Sequence, residues 1–326
     1  MSESENLPSP LHKIFVGPGG LRAGWGLVLF AVLFTIMELL ATMLSYRLSH
    51  PAPPKVIGIS LASALKGDSI SVLVTFCVTW FMAKIERRRI AIFGFSAARA
   101  LPLFLSGLLA GVGCLSVLVF SLWKSGFFIF DSRLLFGADL IRYGSLWLIT
   151  FVLVALFEES LTRGYLLFTL TRGFTGIYAS LFNAKQSKAL GFWSSAIALS
   201  LLFALGHGAN PGESPIGLLS AGLAGLVFCL SLWRTGSLWW AIGFHASWDW
   251  AQSFLYGTAD SGAVVQNHFL ATHPLGKPIL SGGATGPEGS VFMFGILLLI
   301  SLLILFTLPR PKVAPPMHYS KGVAQC

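Results

Sequence analysis

The chain of 326 residues is 55% hydrophobic and 11% charged, with a mean hydropathy of +0.76, whereas soluble domains carry about 25% charged residues. This excludes an ordinary soluble enzyme, a disordered chain, a collagen and a coiled coil. The formal net charge of +9 does not mark a nucleic-acid binder, because Lys and Arg fall between apolar runs and no basic stretch is interleaved with aromatics.

The first twenty residues lack the basic opening of a signal peptide, so the apolar run that follows is expected to stay as a first span, with residues 1–23 as a cytoplasmic segment. Apolar runs then follow at 24–46, 67–83, 101–123, 144–170, 190–207, 215–233, 237–256 and 290–308. Each approaches the roughly 20 residues a bilayer crossing needs. The predicted fold is all-α: a polytopic bundle of about eight transmembrane helices over 24–308, its polar core at about 144–256, and a cytoplasmic tail from 309 to 326. Breaks between runs are marked by Pro51, Pro53 and Pro54, by Pro211 and Pro215, and by the Gly-rich stretch from Gly257 to Gly289. With Arg163 set aside, fourteen of the 22 Lys and Arg fall on one side of these spans and seven on the other. The Arg87-Arg88-Arg89 cluster weighs most, and the positive-inside rule places both termini in the cytoplasm. No internal repeat or matched pair of broken helices points to a secondary transporter.

Cys77, Cys114, Cys229 and Cys326 form no CxxC pair, so neither a disulfide framework nor a thiolate metal site is expected. Cys326 is the last residue and no prenylation box follows it, so no lipid anchor is implied.

A charged side chain at mid-bilayer costs about 2.5–3.5 kcal/mol and marks either function or a paired structural group. The fourth run contains three: Glu158, Glu159 and Arg163. Glu159 and Arg163 are four apart with the acid N-terminal, the better orientation for a pair. Glu158 points about 100° away; as a carboxylate without a local cation it is suited to act as a general base. A single structural polar network is the alternative. His207 closes the fifth run, and its imidazole can ligate a metal, share a proton or simply cap a helix end. His245 and Asp249 are four apart and share one face of the seventh run. They can bind an ion, hold a carbonyl, or only orient each other among Trp233, Trp239, Trp240, Trp248 and Trp250, which also fit an interfacial aromatic belt. Counted from the cytoplasmic ends of their runs, Glu158, His207 and His245 lie roughly 18, 26 and 12 Å deep at 1.5 Å per residue, which allows one shared cavity. Glu38 reads as a structural carboxylate, and His268 and His273 as solvated residues of a flexible connection.

Taken in order, Glu158-Glu159-x-x-x-Arg163, Phe203-x-x-x-His207 and His245-x-x-x-Asp249, each in its own apolar helix, resemble the CPBP intramembrane protease family, which includes the type II CAAX prenyl endopeptidases and the bacterial Abi proteins. The resemblance implies an intramembrane endopeptidase whose substrate is a membrane-associated protein or peptide, prenylated or plain. Carried over, Glu158 would activate water together with His207, His245 and Asp249 would polarise the scissile carbonyl or hold the oxyanion, and Glu159 with Arg163 would position Glu158. The family commonly has Asn where this chain has Asp249, and an ionised Asp can only accept, so the oxyanion role of that position is in question. Two mechanisms remain open: a zinc ion held by Glu158, His207 and His245, or a metal-free glutamate mechanism with the same residues. A bacterial plasma membrane is the expected location. The competing readings are a proton-coupled carrier and a non-catalytic membrane immunity or scaffold protein.

Overall fold

The computed structural model describes residues 14–17, 20–49, 58–96 and 98–309. Most of the two expected cytoplasmic segments, the prolines after the first run and Cys326 lie outside the described residues. All eight apolar runs are helical. After a short ribbon of β1 (Val16–Gly17) and β2 (Gly20–Leu21) come α1 (Ala23–Ser49), α2 (Leu61–Ile85) and α3 (Ala100–Lys124). Strand β3 (Phe128–Arg133) leads into α4 (Gly137–Glu159), a π-helical turn at Ser160–Leu166, and α5 (Leu167–Tyr178). Then follow α6 (Ala184–His207), α7 (Pro215–Thr235), α8 (Trp239–Asp249), a second π-helical turn at Trp250–Leu255, strand β4 (Leu270–Pro274), the one-turn α9 (Pro278–Ser281) and α10 (Phe292–Thr307).

Among the described residues, six helical runs are long and apolar enough to cross a membrane, and Phe292–Thr307 is a shorter apolar helix. Trp239–Leu255 is likewise short, which is why eight is an approximate count of crossings. The run Gly137–Tyr178 is continuous over 42 residues. It is kinked at Gly164, so its two α-helical limbs of 23 and 12 residues are about 35 and 18 Å long at 1.5 Å per residue. The helical run extends eight residues beyond the expected end at 170, through α5 to Tyr178.

Helix starts are fixed locally. Ser60 accepts from the Ser63 amide at α2, Asn183 from Gln186 at α6, and Ser214 from Gly217 at α7, where Pro215 occupies the first turn. The outer surface is apolar: Leu109 is 78% exposed and Phe306 84%. Such side chains face lipid in an integral membrane protein. Helix α1 is the most peripheral. It buries Phe30 against Tyr165 and turns Leu39, Leu40, Met43 and Leu44 outward. Its Glu38 accepts a hydrogen bond from Ser71 Oγ of α2 at 2.7 Å, a structural tie between neighbouring helices.

Helix α8 is the innermost element. It packs on α3 more extensively than any other pair of helices, and also on α4 and α7. Small residues allow that closeness. A Cβ on Gly107 or Gly111 of α3 would strike the α8 backbone at Trp240 and Phe244 or the hydroxyl of Ser247, and one on Gly243 of α8 would strike the backbone of Phe104. Trp240 and Trp248 are buried in the resulting core. They are core residues and do not belong to an interfacial belt, because α8 is enclosed by protein on all sides.

The Gly-rich connection after α8 is not a flexible loop. Strand β4 pairs antiparallel with β3, with a bulge between Phe130 and Ser132. His273 Nδ1 meets Asp131 Oδ2 at 2.8 Å at the surface, whereas His268 is part-buried with its Nδ1 on the Leu270 carbonyl at 2.7 Å, so only the first keeps the expected solvated setting. The backbone ladder and these side-chain ties order the connection into a cap over one end of the bundle.

Candidate active site

The three motifs converge on one cavity of about 460 Å³ inside the bundle. Glu158 from α4, His207 from α6, and His245 and Asp249 from α8 all line it. Glu159 and Arg163 stand behind the wall.

The Glu159–Arg163 pair is present: Arg163 Nη1 donates to Glu159 Oε1 at 2.7 Å, with side-chain exposures of 3% and 0%. Arg163 also lies over the rings of Phe203 at 4.5 Å and Phe228 at 5.5 Å. The first of these ties the first motif to Phe203 of the second, a cation–π contact that sequence spacing does not reveal. The same Glu159 oxygen receives His245 Nδ1 at 3.0 Å. Glu159 thus orients both a cation and an imidazole, and a carbonyl or carboxylate on one ring nitrogen fixes which edge is left for chemistry.

That free edge, His245 Nε2, stands 3.7 Å from Glu158 Oε2 and 3.5 Å from Asp249 Oδ2. The seventh run brings His245 against Glu158, a long-range approach invisible in the local sequence. Glu158 is 25% exposed on its side chain, and its Oε2 has no hydrogen-bond partner among the described residues. His207 is reached differently. Its Nδ1 donates to the Phe203 carbonyl one turn earlier in α6 at 2.8 Å, which leaves Nε2 as the acceptor edge on the cavity.

Both π-helical turns follow directly on motif residues, Ser160–Leu166 after Glu159 and Trp250–Leu255 after Asp249. Inside the first, Gly164 departs from helical geometry with φ −83° and ψ −107°. Such single wide turns widen a helix locally and recur at functional sites. The first is held from outside the cavity: Tyr165 Oη donates to Glu86 Oε1 at 2.6 Å, and Arg88 and Arg172 bind Glu86 Oε2 at 3.0 and 2.8 Å.

Sequence reasoning missed four acids near this cavity. Asp68 of α2 lines it, as do Asp260 and Glu288 of the cap. Glu213, in the turn before α7, adjoins Glu288 electrostatically and binds the Ser214 amide at 2.8 Å. In the sequence Asp260 and Glu288 sit among Gly, Ser and Thr and read as solvated loop charges; only the folding of the cap over the cavity turns them inward. Burial raises the carboxyl of Asp260 well above its ordinary range, and Asp249 and Glu288 nearby add to the rise. Burial raises Glu288 as well, against hydrogen bonds from the Ser261 amide and hydroxyl.

A zinc ion would take the Nε2 edges of His207 and His245 together with Glu158. The back-side contacts of both imidazoles suit ligation. Among the described residues, however, no three His, Cys, Asp or Glu side chains are grouped to hold one ion, so the zinc alternative finds no ligand set in this arrangement.

A polytopic helical membrane protein with a polar, acid- and histidine-lined internal cavity is thus defined by fold and site together. Residues 141–251, about a third of the chain, match the family described as Type II CAAX prenyl endopeptidase Rce1-like. All the motif residues from Glu158 to Asp249 lie in that segment, and the match agrees with the family the motifs resemble. It supports a CAAX-type intramembrane protease. No curated protein and no solved structure matches the chain.

Proposed function

We propose that this protein is an intramembrane endopeptidase in which Glu158 is the general base that activates water. The observation that carries the reading is Glu158 Oε2, a carboxylate oxygen with no hydrogen-bond partner among the described residues, on a cavity-lining side chain and 3.7 Å from an imidazole that is itself fixed by Glu159. Glu158 takes a proton from water as the oxygen attacks the scissile carbonyl carbon, and later returns that proton to the leaving amine. His207, with Nε2 as acceptor, holds the same water. His245 in its protonated form gives Nδ1–H to Glu159 and Nε2–H to the developing oxyanion, replacing a water-made bond by a fixed one. Asp249, whose Oδ2 stands 3.5 Å from the same Nε2, balances the imidazolium charge without taking its proton; an Asp serves this role, which an Asn would not. Every one of these steps is available without a metal.

Much of the remaining cavity wall is apolar and aromatic, including Phe151, Val154, Phe244, Trp248 and Leu297. It suits a membrane-associated protein or peptide with an apolar portion, an isoprenoid among the candidates. The charge asymmetry between the two sides of the spans favours both termini, 1–23 and 309–326, in the cytoplasm, with 24–308 as the bundle; a bacterial plasma membrane is the setting we infer.

The test is cleavage of a panel of quenched fluorescent peptides, prenylated and plain, by detergent-purified wild type and Glu158→Gln, each with and without a chelator. Cleavage lost in Glu158→Gln and retained in chelator is expected. Inhibition by chelator that zinc reverses would replace the glutamate mechanism with a metal one. Cleavage undiminished in Glu158→Gln would end the proposal.

A further inference from the structure

The cavity is uneven in charge. Besides Glu158 and Asp249 it presents Asp68, Asp260 and Glu288, while among the described residues neither Lys nor Arg lines it. Its two imidazoles are the positive groups available, and Arg163 is turned onto Glu159 behind the wall. Carboxylates gathered in a bundle without matching cations are costly.

Asp260 is held toward the cavity by the construction of the cap. Its amide and that of Ala263 exchange hydrogen bonds at 2.8 Å, the Gly262 amide binds the Thr285 carbonyl at 3.0 Å, and Ser261 donates through both its amide and its hydroxyl to Glu288 Oε1. The turn is tight enough to put Ser261 at φ +44°, where a non-glycine residue is strained. Ser253 Oγ reaches Asp260 Oδ2 at 3.2 Å. Nothing in this turn neutralises the acid.

A second feature of the same wall points to a ligand. Ser220 of α7 is 1% exposed, lines the cavity, and its hydroxyl has no hydrogen-bond partner among the described residues. A serine inside a helix ordinarily returns its proton to the carbonyl one turn back. Ser116 and Ser195 do this, each at 2.7 Å. Ser220 does not, so a buried donor and acceptor is left open on the cavity.

We propose that the cavity recognises a substrate segment carrying a Lys or Arg side chain next to the scissile bond, the cation received by Asp260 with Glu288 beside it and a backbone polar group received by Ser220. The proposal rests on the protease reading for the identity of that ligand as a substrate. The cation supplies what the cluster lacks, and its approach to Asp260 is a charge-assisted hydrogen bond, the stronger kind in a low-dielectric cavity. The apolar wall then receives the neighbouring residues, so a basic position within an otherwise apolar segment is the pattern selected.

The experiment uses the full-length protein in detergent. A cleaved parent peptide is first mapped by mass spectrometry, and a series is then made with Lys, norleucine or Glu at each of the two residues on either side of the scissile bond. At one position kcat/KM for Lys is expected to exceed that for norleucine about ten-fold. In Asp260→Asn that ratio falls toward one, and in Asp260→Glu it is retained, which separates recognition from misfolding. The same peptides are titrated as fluorescent ligands onto Glu158→Gln at low and high salt, where preference for Lys is expected to weaken as salt rises. Cleavage with equal rates for Lys and norleucine overturns the proposal and leaves the protease standing. Preferred binding of the Lys peptide that Asp260→Asn abolishes, without cleavage of any peptide by wild type, overturns the protease and leaves cation recognition standing. Equal affinities for both peptides without cleavage overturn both.

Discussion

Arg163→Met is the substitution whose cost follows most directly from the geometry. It removes the guanidinium from Glu159 Oε1, 2.7 Å away, and leaves a carboxylate that is 0% exposed with His245 as its remaining partner. Removing one member of a buried pair costs about 3–5 kcal/mol, much of it the burden of the stranded charge. At about 2–4 °C per kcal/mol for chains of a few hundred residues, the melting temperature should fall by roughly 6–20 °C. Replacing both charges by apolar groups of similar size strands nothing, so Glu159→Leu with Arg163→Met should recover most of that loss and show a coupling of about 2 kcal/mol or more. The double variant should nevertheless remain inactive, because His245 Nδ1 has lost the acceptor that fixes its ring. Thermal unfolding of the detergent-purified variants, followed by tryptophan fluorescence, gives the stabilities, and peptide cleavage gives the second readout. Additive losses, or a double variant that regains activity with stability, would refute the assignment of Glu159 to both roles.

Gly111→Ala should lower stability by about 1–3 kcal/mol, since its methyl meets Ser247 and the Phe244 backbone, while Gly113→Ala two residues on, with open space at its Cβ, should be neutral or slightly stabilising; the two melting curves decide. Tyr165→Phe removes the hydroxyl that donates to Glu86 at 2.6 Å and should cost about 1.5–3 kcal/mol in the same assay, the range for a hydrogen bond to a charged group. Asp260 titrates above its ordinary range because of burial, with Asp249 and Glu288 adding to the rise and His245 and Ser253 opposing it. For an acid whose folded value is raised, stability is full below the unfolded value and is lost as pH rises through the folded one. The melting temperature of Asp260→Asn relative to wild type should therefore climb with pH, and a flat difference would contradict this environment.

What could be read from the sequence divides along physical lines. The eight apolar runs are legible because lipid demands long unbroken apolar segments, and the three motifs because charge inside such segments is rare enough to stand out. The Glu159–Arg163 pair is legible because spacing along one helix fixes it. The contact of Glu158 with His245 is not, since it joins residues 87 positions apart through the packing of α4 on α8. The seating of α8 against α3 depends on Gly107, Gly111 and Gly243, whose spacing is visible but whose partner helix is not. Least legible is the cap. The stretch from Gly257 to Gly289 has the composition of a solvated loop, and its order comes from pairing with Phe128–Arg133, a segment more than a hundred residues earlier.

The cap also resolves a difficulty that any hydrolysis inside a bundle faces, the supply of water to a site walled by apolar helices. Glu158 and His245 alone would be polar groups within an apolar core. Asp260, Ser261 and Glu288 line the same cavity from the connection at the end of the bundle, and Asn210 and His207 line it from the end of α6. Polar groups therefore line the cavity from the C-terminal end of α4 to the cap. If the cap serves the proposed protease site, Glu288→Gln, which removes the charge but keeps an acceptor for Ser261, should change the salt dependence of peptide binding as well as the rate, whereas a merely covering loop would alter neither.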